Sequence, residues 1–384
     1  MRFRRIVFKE PKKVEIEDAE LPEPSPDQIL IRTRATLIST GTELTMLSGK
    51  YPKGSVWDNI TRYPVVPGYS NCGVVEEVGE NVKKFKVGDR VSSAAPHAEY
   101  AVVRENQAVK VPDGITDEEA TFGTLSATVM NSVRLANIKL GESVIIVGVG
   151  ILGQLACQFS RLCGGFPVIA VDLSQRRLEI AKKLGASAAI QSGKGDVKER
   201  IMKLTKGRGA DVVFEVTGNP KVIPWELSLV KRQGRFILLS SPRGLTELDL
   251  HDLVNWPSRM IIGTHTSSHP SHETPYNPWT WERNIQLFFE LLSAGLVNVK
   301  DLITDLYKWT EAREAYERLL DPLGERLQSL GVILDFRGSY PGSTRQRRRD
   351  SSAPPNQEGL IFDSLFTDIY VDSFGDNGLS LIKK

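Results

Sequence analysis

A chain of 384 residues is long enough for two domains, each with its own core. Its 49 basic and 47 acidic residues leave a formal charge of +2, which gives no electrostatic case for binding nucleic acid or a membrane surface. The three cysteines, Cys72, Cys157 and Cys163, are too few for a disulfide framework, and no CxxC pair starts a structural zinc site.

The N-terminus, MRFRRIVFKEPKKVEIEDAEL, alternates like a pair of strands and has no signal-peptide core. No stretch approaches the length of a membrane span, so the expectation is a reduced, cytoplasmic protein. From Met1 to about Asp113 short strands alternate with Gly- and Pro-rich turns, among them Ile29-Leu30-Ile31, Gly73 to Gly79 and Gly88 to Val91. That pattern predicts a partly open barrel or another β-rich domain.

Near Ile115 the period changes. A helix is predicted over Ser126–Leu135, then strand, glycine turn, helix, strand and helix from Glu142 to Leu184. Ser174 is placed to cap the last of these helices and Gly185 to end it. Asp211–Val216, Arg235–Leu239 and Met260–Ile262 read as further buried strands, which predicts a parallel sheet covered on both faces. Helices follow at Trp281–Ser293 and Thr310–Leu320, and a last core strand at Gly331–Asp335.

Beyond Arg337 the composition turns to YPGSTRQRRRDSSAPPNQEG, read as a solvated linker; its basic cluster lacks the aromatics of a nucleic-acid site. Leu360–Phe374 is apolar enough to dock on the fold or on a partner. The predicted organisation is a β-rich domain over 1–125, an α/β domain over 126–264, a further mixed segment over 265–337, and a linker and extension over 338–384.

The turn Gly148-Val149-Gly150-Ile151-Leu152-Gly153 follows the strand Ser143–Val147 and opens a helix. In that setting the first glycine makes the tight turn, the second lets backbone approach a pyrophosphate, and the third allows close helix–strand packing. Amides at Ile151 and Leu152 then face phosphate oxygens. Asp172 ends the next strand, nineteen residues past Gly153, where a carboxylate accepts from the adenosine ribose. It favours NAD over NADP, because it would repel a 2′-phosphate. Arg176 and Arg177 pull the other way, as phosphate ligands or as solvent-facing helix residues. Thr217 completes the expected cofactor set.

Pro67-Gly68, GVVEEVGENVKKFKVGDRV, His97-Ala98-Glu99-Tyr100, LGESVIIVGVGILGQL, DVVFEVTGN and DLITDLYKWTEAREAYERL occur in this order. Together they resemble the medium-chain dehydrogenase/reductase superfamily from about Phe3 to Phe336. The resemblance implies an α/β fold with a Rossmann domain and a groES-like catalytic domain, the substrate lying between them. It also implies a homo-oligomer acting on a small alcohol, ketone or enone.

The departures concern metal. Where zinc alcohol dehydrogenases carry ligands, this chain has Thr40, Gly68-Tyr69-Ser70 and, at or near the last position, Phe122, and the four-cysteine lobe is missing. These side chains do not make a zinc site, so none is assigned. Thr42 matches the hydroxyl that relays the substrate proton in the zinc enzymes. Thr40, Thr42 and Tyr69 are the candidate hydroxyl donors, with Glu43 orienting them; a local turn network for Thr42 and Glu43, and simple packing for Tyr69, are the plainer readings. The string Leu37–Glu43 resembles a zinc-less branch containing bacteriochlorophyllide-type hydroxyethyl dehydrogenases.

Three of five histidines, His265, His269 and His272, precede Trp279 and Trp281. His265 is a candidate acid or base and the tryptophans candidate pocket walls; an ordinary surface or subunit-contact loop, or a weak metal site, would use the same residues. The expected activity is zinc-independent hydride transfer between NAD(H) and a medium or large secondary alcohol or ketone. An enoyl or quinone reductase and a non-enzymatic nucleotide-binding protein are the alternatives.

Overall fold

The computed structural model describes residues 2–321 and 327–338. The alternating N-terminus forms an antiparallel pair, β1 (Arg2–Glu10) and β2 (Lys13–Glu20). Then come β3 (Gln28–Leu37), α1 (Thr42–Ser48), α2 (Val56–Ile60), β4 (Asn71–Val78), β5 (Arg90–Ser93), β6 (Tyr100–Arg104) and β7 (Ala108–Lys110). Helices α3 (Asp117–Ala120) and α4 (Gly123–Ala136) lead into β8 (Val144–Val147), α5 (Ile151–Leu162), β9 (Val168–Asp172), α6 (Gln175–Leu184) and β10 (Ala188–Gln191). The chain continues through α7 (Val197–Leu204), β11 (Ala210–Glu215), α8 (Ile223–Ser228), β12 (Val230–Leu238) and β13 (Met260–Gly263). It closes with α9 (Trp281–Ser293), β14 (Ile303–Lys308), α10 (Ala312–Leu320) and β15 (Gly331–Asp335).

Strands β10-β9-β8-β11-β12-β13 form one six-stranded parallel sheet. Its apolar runs serve both faces. Val144 and Ile146 join the cluster that includes α4 and α5, while Ile145 and Val147 join the one that includes α7 and α8. A strand period of two therefore explains why these runs carry no polar alternation. The strand order reverses between β8 and β11, so a crevice opens beyond their carboxyl ends.

The second sheet has the order β14-β15-β3-β4-β5-β7, with β6 also on β3. Ile29, Ile31, Val75, Val91, Ala101 and Val103 fill its interior. Its far edge comes from the end of the described chain, so the sequence leaves this sheet, builds the parallel one and returns. Here Trp309 stacks on Phe336 with ring centroids 5.2 Å apart, and the edge of Tyr316 meets Phe8 at 5.1 Å.

Several ties join the lobes. The Gln158 side chain donates to the Asn298 carbonyl (3.0 Å) and accepts from its amide (2.8 Å). Lys183 pairs with Asp301 at 2.9 Å, and Arg177 donates to the Ser329 carbonyl at 2.8 Å. Elsewhere the Trp57 indole on α2 donates to the Pro242 carbonyl at 3.4 Å.

Local signals read from the chain place most elements, with informative differences. Ser174 caps α6 by accepting from the Arg177 amide (3.3 Å), and Gly185 ends it. The helix predicted from Ser126 starts at Gly123, because Phe122 already has helical backbone. The one predicted from Thr310 starts at Ala312, after a tighter turn over Trp309–Glu311. β10, α7 and α8 went unpredicted. Of the expected linker and extension, 338–384, all but Gly338 lie outside the described residues.

Candidate active site

The glycine turn joins β8 to α5. A Cβ on Gly153 would overlap the Gly148 carbonyl oxygen and stand 3.0 Å from its carbon, so only glycine allows this helix–strand approach. No side chain caps α5, which leaves its first amides directed at the crevice. Asp172 is buried at the end of β9; its two oxygens accept from the Val149 and Ser174 amides, each at 2.8 Å. Each oxygen keeps a lone pair for a further donor such as a ribose hydroxyl. The Arg177 guanidinium lies about 4 Å from where a Cβ on Gly150 would stand, so its charge sits over the phosphate-facing part of the turn. These residues fit a dinucleotide.

Thr217 packs against Gly148 from the next strand end. Its amide and hydroxyl both donate to Glu215 at 2.6 Å, and its carbonyl accepts from Arg243 at 2.9 Å. Glu215 also accepts from Gly218 (2.9 Å) and from the Ser240 hydroxyl, so one buried carboxylate shapes the rims of β11 and β12.

Beneath it on α8, Glu226 is fully buried and neither carboxylate oxygen has a hydrogen-bond partner. Burial, assisted by the charge of Glu215, pushes its pKa up to about 9 from 4.5. The native state thus binds this proton more tightly than the unfolded chain. Stability is fully retained below about pH 4.5 and is lost as pH rises toward 9, at up to about 1.4 kcal/mol per pH unit. Glu226→Gln is expected to raise Tm at pH 8 and flatten the fall of Tm with pH. An unchanged pH–Tm curve would refute the burial of an unpaired acid here.

The hydroxyl candidates meet at the second sheet. Tyr69, half-buried just before β4, donates to the Ser39 hydroxyl and is also hydrogen-bonded to Thr42. Burial pushes the Tyr69 pKa up to about 12, with the Glu43 charge assisting and the Ser39 and Thr42 bonds opposing. Glu43 is fully buried: one oxygen accepts from the Ser39 amide at 2.8 Å, the other from His97 Nε2 at 2.9 Å and from the Tyr316 hydroxyl. His97 Nδ1 meets the Thr36 hydroxyl at 2.7 Å. Thr40 lies half-buried between Ser39 and Gly41.

The other candidates fall elsewhere. His265 is exposed, with Nδ1 at 2.7 Å from the Ser267 hydroxyl, and it accepts from the Ser267 amide to cap a short turn. The segment behind it lies along α4: Thr264 bonds Ser132, Ser268 bonds Asn131, and buried His269 faces the Ala127 carbonyl. The guanidinium groups of Arg134 and Arg283 lie over the Trp279 ring, 3.3 and 4.8 Å from its centroid. Trp281 packs on the main core. His97, Tyr316, Ser39 and Arg243 were not singled out from sequence; a histidine beside the Glu-Tyr pair of His97–Tyr100 was the one visible signal.

Among the described residues no group of three His, Cys, Asp or Glu side chains is arranged to hold a metal ion. The three positions where a zinc site would be sought carry Thr40, Tyr69 and fully buried Phe122, a donor set that does not suit zinc. No helix of the described residues is long and apolar enough to cross a membrane.

Comparison with known proteins agrees with this architecture. Residues 25–113 match the family model for an alcohol dehydrogenase GroES-like domain, and 152–281 the model for a zinc-binding dehydrogenase. L-threonine 3-dehydrogenase of Pyrococcus furiosus is 30% identical over 335 residues, which cover 79% of this chain and 91% of that protein. An alcohol dehydrogenase of Escherichia coli CFT073, solved with NADH, superposes with a TM-score of 0.72 at 20% identity. A Sinorhizobium meliloti 1021 protein described as a zinc-binding dehydrogenase, solved with NADP, gives 0.72 at 22%. Each of the two structures is covered over 99% of its length by 87% of this chain. With the Rossmann crevice, the GroES-like sheet and this relative in agreement, the chain belongs to the medium-chain dehydrogenase/reductase superfamily and is an oxidoreductase.

Proposed function

We propose that the chain is a zinc-independent, NAD(H)-dependent oxidoreductase of the zinc-less branch, interconverting a secondary alcohol and its ketone. The observation that carries this reading is the Tyr69 hydroxyl, hydrogen-bonded to Ser39 and Thr42, at a place where zinc relatives hold metal. With its pKa raised to about 12, Tyr69 is protonated at neutral pH and serves as a proton donor more readily than as a base.

The nicotinamide, when bound, supplies the hydride to the carbonyl carbon. Tyr69 gives its proton to the carbonyl oxygen as negative charge gathers there, and the phenolate recovers a proton from water by way of the neighbouring hydroxyls. Asp172 supports NAD, since its lone pairs suit a free ribose hydroxyl and its charge opposes a phosphate. Arg177 lies against Gly150, where it offers charge to the pyrophosphate. The unpaired thiols of Cys72, Cys157 and Cys163 suit a reducing compartment.

The test is a titration with NADH and NADPH, followed by a panel of ketones, alcohols, enones and quinones read through NADH absorbance with and without a chelator. We expect NADH to bind more tightly, turnover with ketones to survive chelation, and Tyr69→Phe to lower kcat about 100-fold or more with NADH affinity unchanged. Zinc-dependent turnover, equal affinity for NADPH, or full activity in Tyr69→Phe would each overturn the corresponding part.

A further inference from the structure

Glu43 is a fully buried carboxylate, so the fold must meet it with donating groups, and His97 is its ion-pair partner whenever the imidazole is protonated. Among the described residues no lysine or arginine pairs with it; amide, hydroxyl and imidazole groups meet its charge instead. Its contacts converge on Tyr69 from two directions. Ser39 and Glu43 are locked together, the Glu43 amide donating to the Ser39 carbonyl (3.0 Å) while the Glu43 carboxylate accepts from the Ser39 amide (2.8 Å). Ser39 then holds the Tyr69 hydroxyl.

From the other side, the His97 ring fills the space a Cβ on Gly68 would need, 2.8 Å away, and Gly68 (φ +103) directly precedes Tyr69. The His97 backbone is itself pinned, its amide donating to Pro67 (3.0 Å) and its carbonyl accepting from Ile6 (2.8 Å). Tyr316, on α10 in the returning segment, bonds Glu43 and stands edge-on to His97 with ring centroids 6.4 Å apart.

We infer that Glu43, His97 and Tyr316 are positioning residues that fix Tyr69 by its hydroxyl, through Ser39, and by its backbone, through Gly68. This rests on the reading of Tyr69 as the proton donor. Burial is the main cause that keeps the Tyr69 hydroxyl protonated against the Ser39 and Thr42 bonds, and the nearby Glu43 carboxylate adds to it. A carboxamide in its place would keep the shape and lose the charge.

The experiment uses the full chain labelled with carbon-13 at tyrosine Cζ and saturated with NADH; the Tyr69 resonance is the one missing from Tyr69→Phe. In Glu43→Gln this resonance is expected to move, and its titration to begin at lower pH, because the neighbouring negative charge is gone. In Tyr316→Phe, which keeps the ring packed against Phe8, the resonance is expected to move too. With the ketone of the panel, both variants should lose about tenfold or more in kcat at an unchanged KM for NADH. If Glu43→Gln fails to fold, Tyr316→Phe alone decides. A Tyr69 resonance and kcat unchanged in Tyr316→Phe and in any folded Glu43→Gln would overturn the inference, and a loss of kcat confined to Tyr69→Phe would leave the donor reading standing. Full kcat in Tyr69→Phe would instead remove the donor reading itself.

Discussion

Gly153→Ala is expected to abolish tight NADH binding, raising Kd about 100-fold or more, equivalent to about 2.7 kcal/mol. The added methyl would overlap the Gly148 carbonyl oxygen, stand 3.0 Å from its carbon and lie 3.4 Å from the Ile146 side chain. Backbone and a fully buried strand residue form most of this wall, so no flexible side chain can swing away. Helix α5 must shift off β8, taking its uncapped amides with it. Overpacking of this kind also costs about 1–3 kcal/mol in stability. Calorimetric titration with NADH measures the first effect and urea unfolding the second. An affinity within a few-fold of the parent would show that the helix can retreat without opening the phosphate site.

The second large effect is expected at Arg337→Ala, a loss of about 3–5 kcal/mol. Arg337 is buried two residues past β15, bonded through Nε to Asp335 (2.7 Å) and through Nη2 to Glu118, with Asp117 at 3.9 Å. Asp117 is shared with Arg90 (3.1 Å) and Arg34 (3.6 Å), so the cluster ties β3, β5, α3 and the end of the last strand. Truncation leaves Glu118 and Asp335 charged and buried without this cation. Lysine should rescue poorly, because one ammonium cannot reproduce a fork that reaches several carboxylates. Denaturant midpoints would settle the matter, and a change below about 1 kcal/mol would mean that the remaining arginines take over.

The nucleotide half was readable because each function there is local. The turn, its strand, its helix and Asp172 lie within thirty residues, and Ser174, Gly185, Trp281 and Gly331 each mark an element end that the structure reproduces. β10, α7 and α8 escaped notice because they are short, although α7 has a cap in Asp196, which accepts from the Glu199 amide at 3.0 Å, and α8 has a proline in its first turn. The catalytic half was readable only in part. Thr42, Glu43 and Tyr69 could be found from the string around Gly41 and from Gly68, but Tyr316 lies 273 residues from Glu43. Only closure of the sheet by β15 and α10 brings the two together. Arg177 shows the same limit: from sequence it pointed to a phosphate or to solvent, and the deciding partner, Ser329, is 152 residues away.

The uneven fastening of the two lobes bears on how the molecule opens. Along α5 and α6 they are joined by the two-way Gln158–Asn298 link, the Lys183–Asp301 pair and the Arg177–Ser329 bond. At the loop after β12, the link to α2 is the longer 3.4 Å Trp57–Pro242 bond. Opening of the crevice is therefore expected to cost least on the α2 side, where one long hydrogen bond is broken, and most along α5 and α6. Arg177 lies on the firmly fastened edge, so the phosphate end of the crevice is expected to keep its shape as the Trp57 side yields.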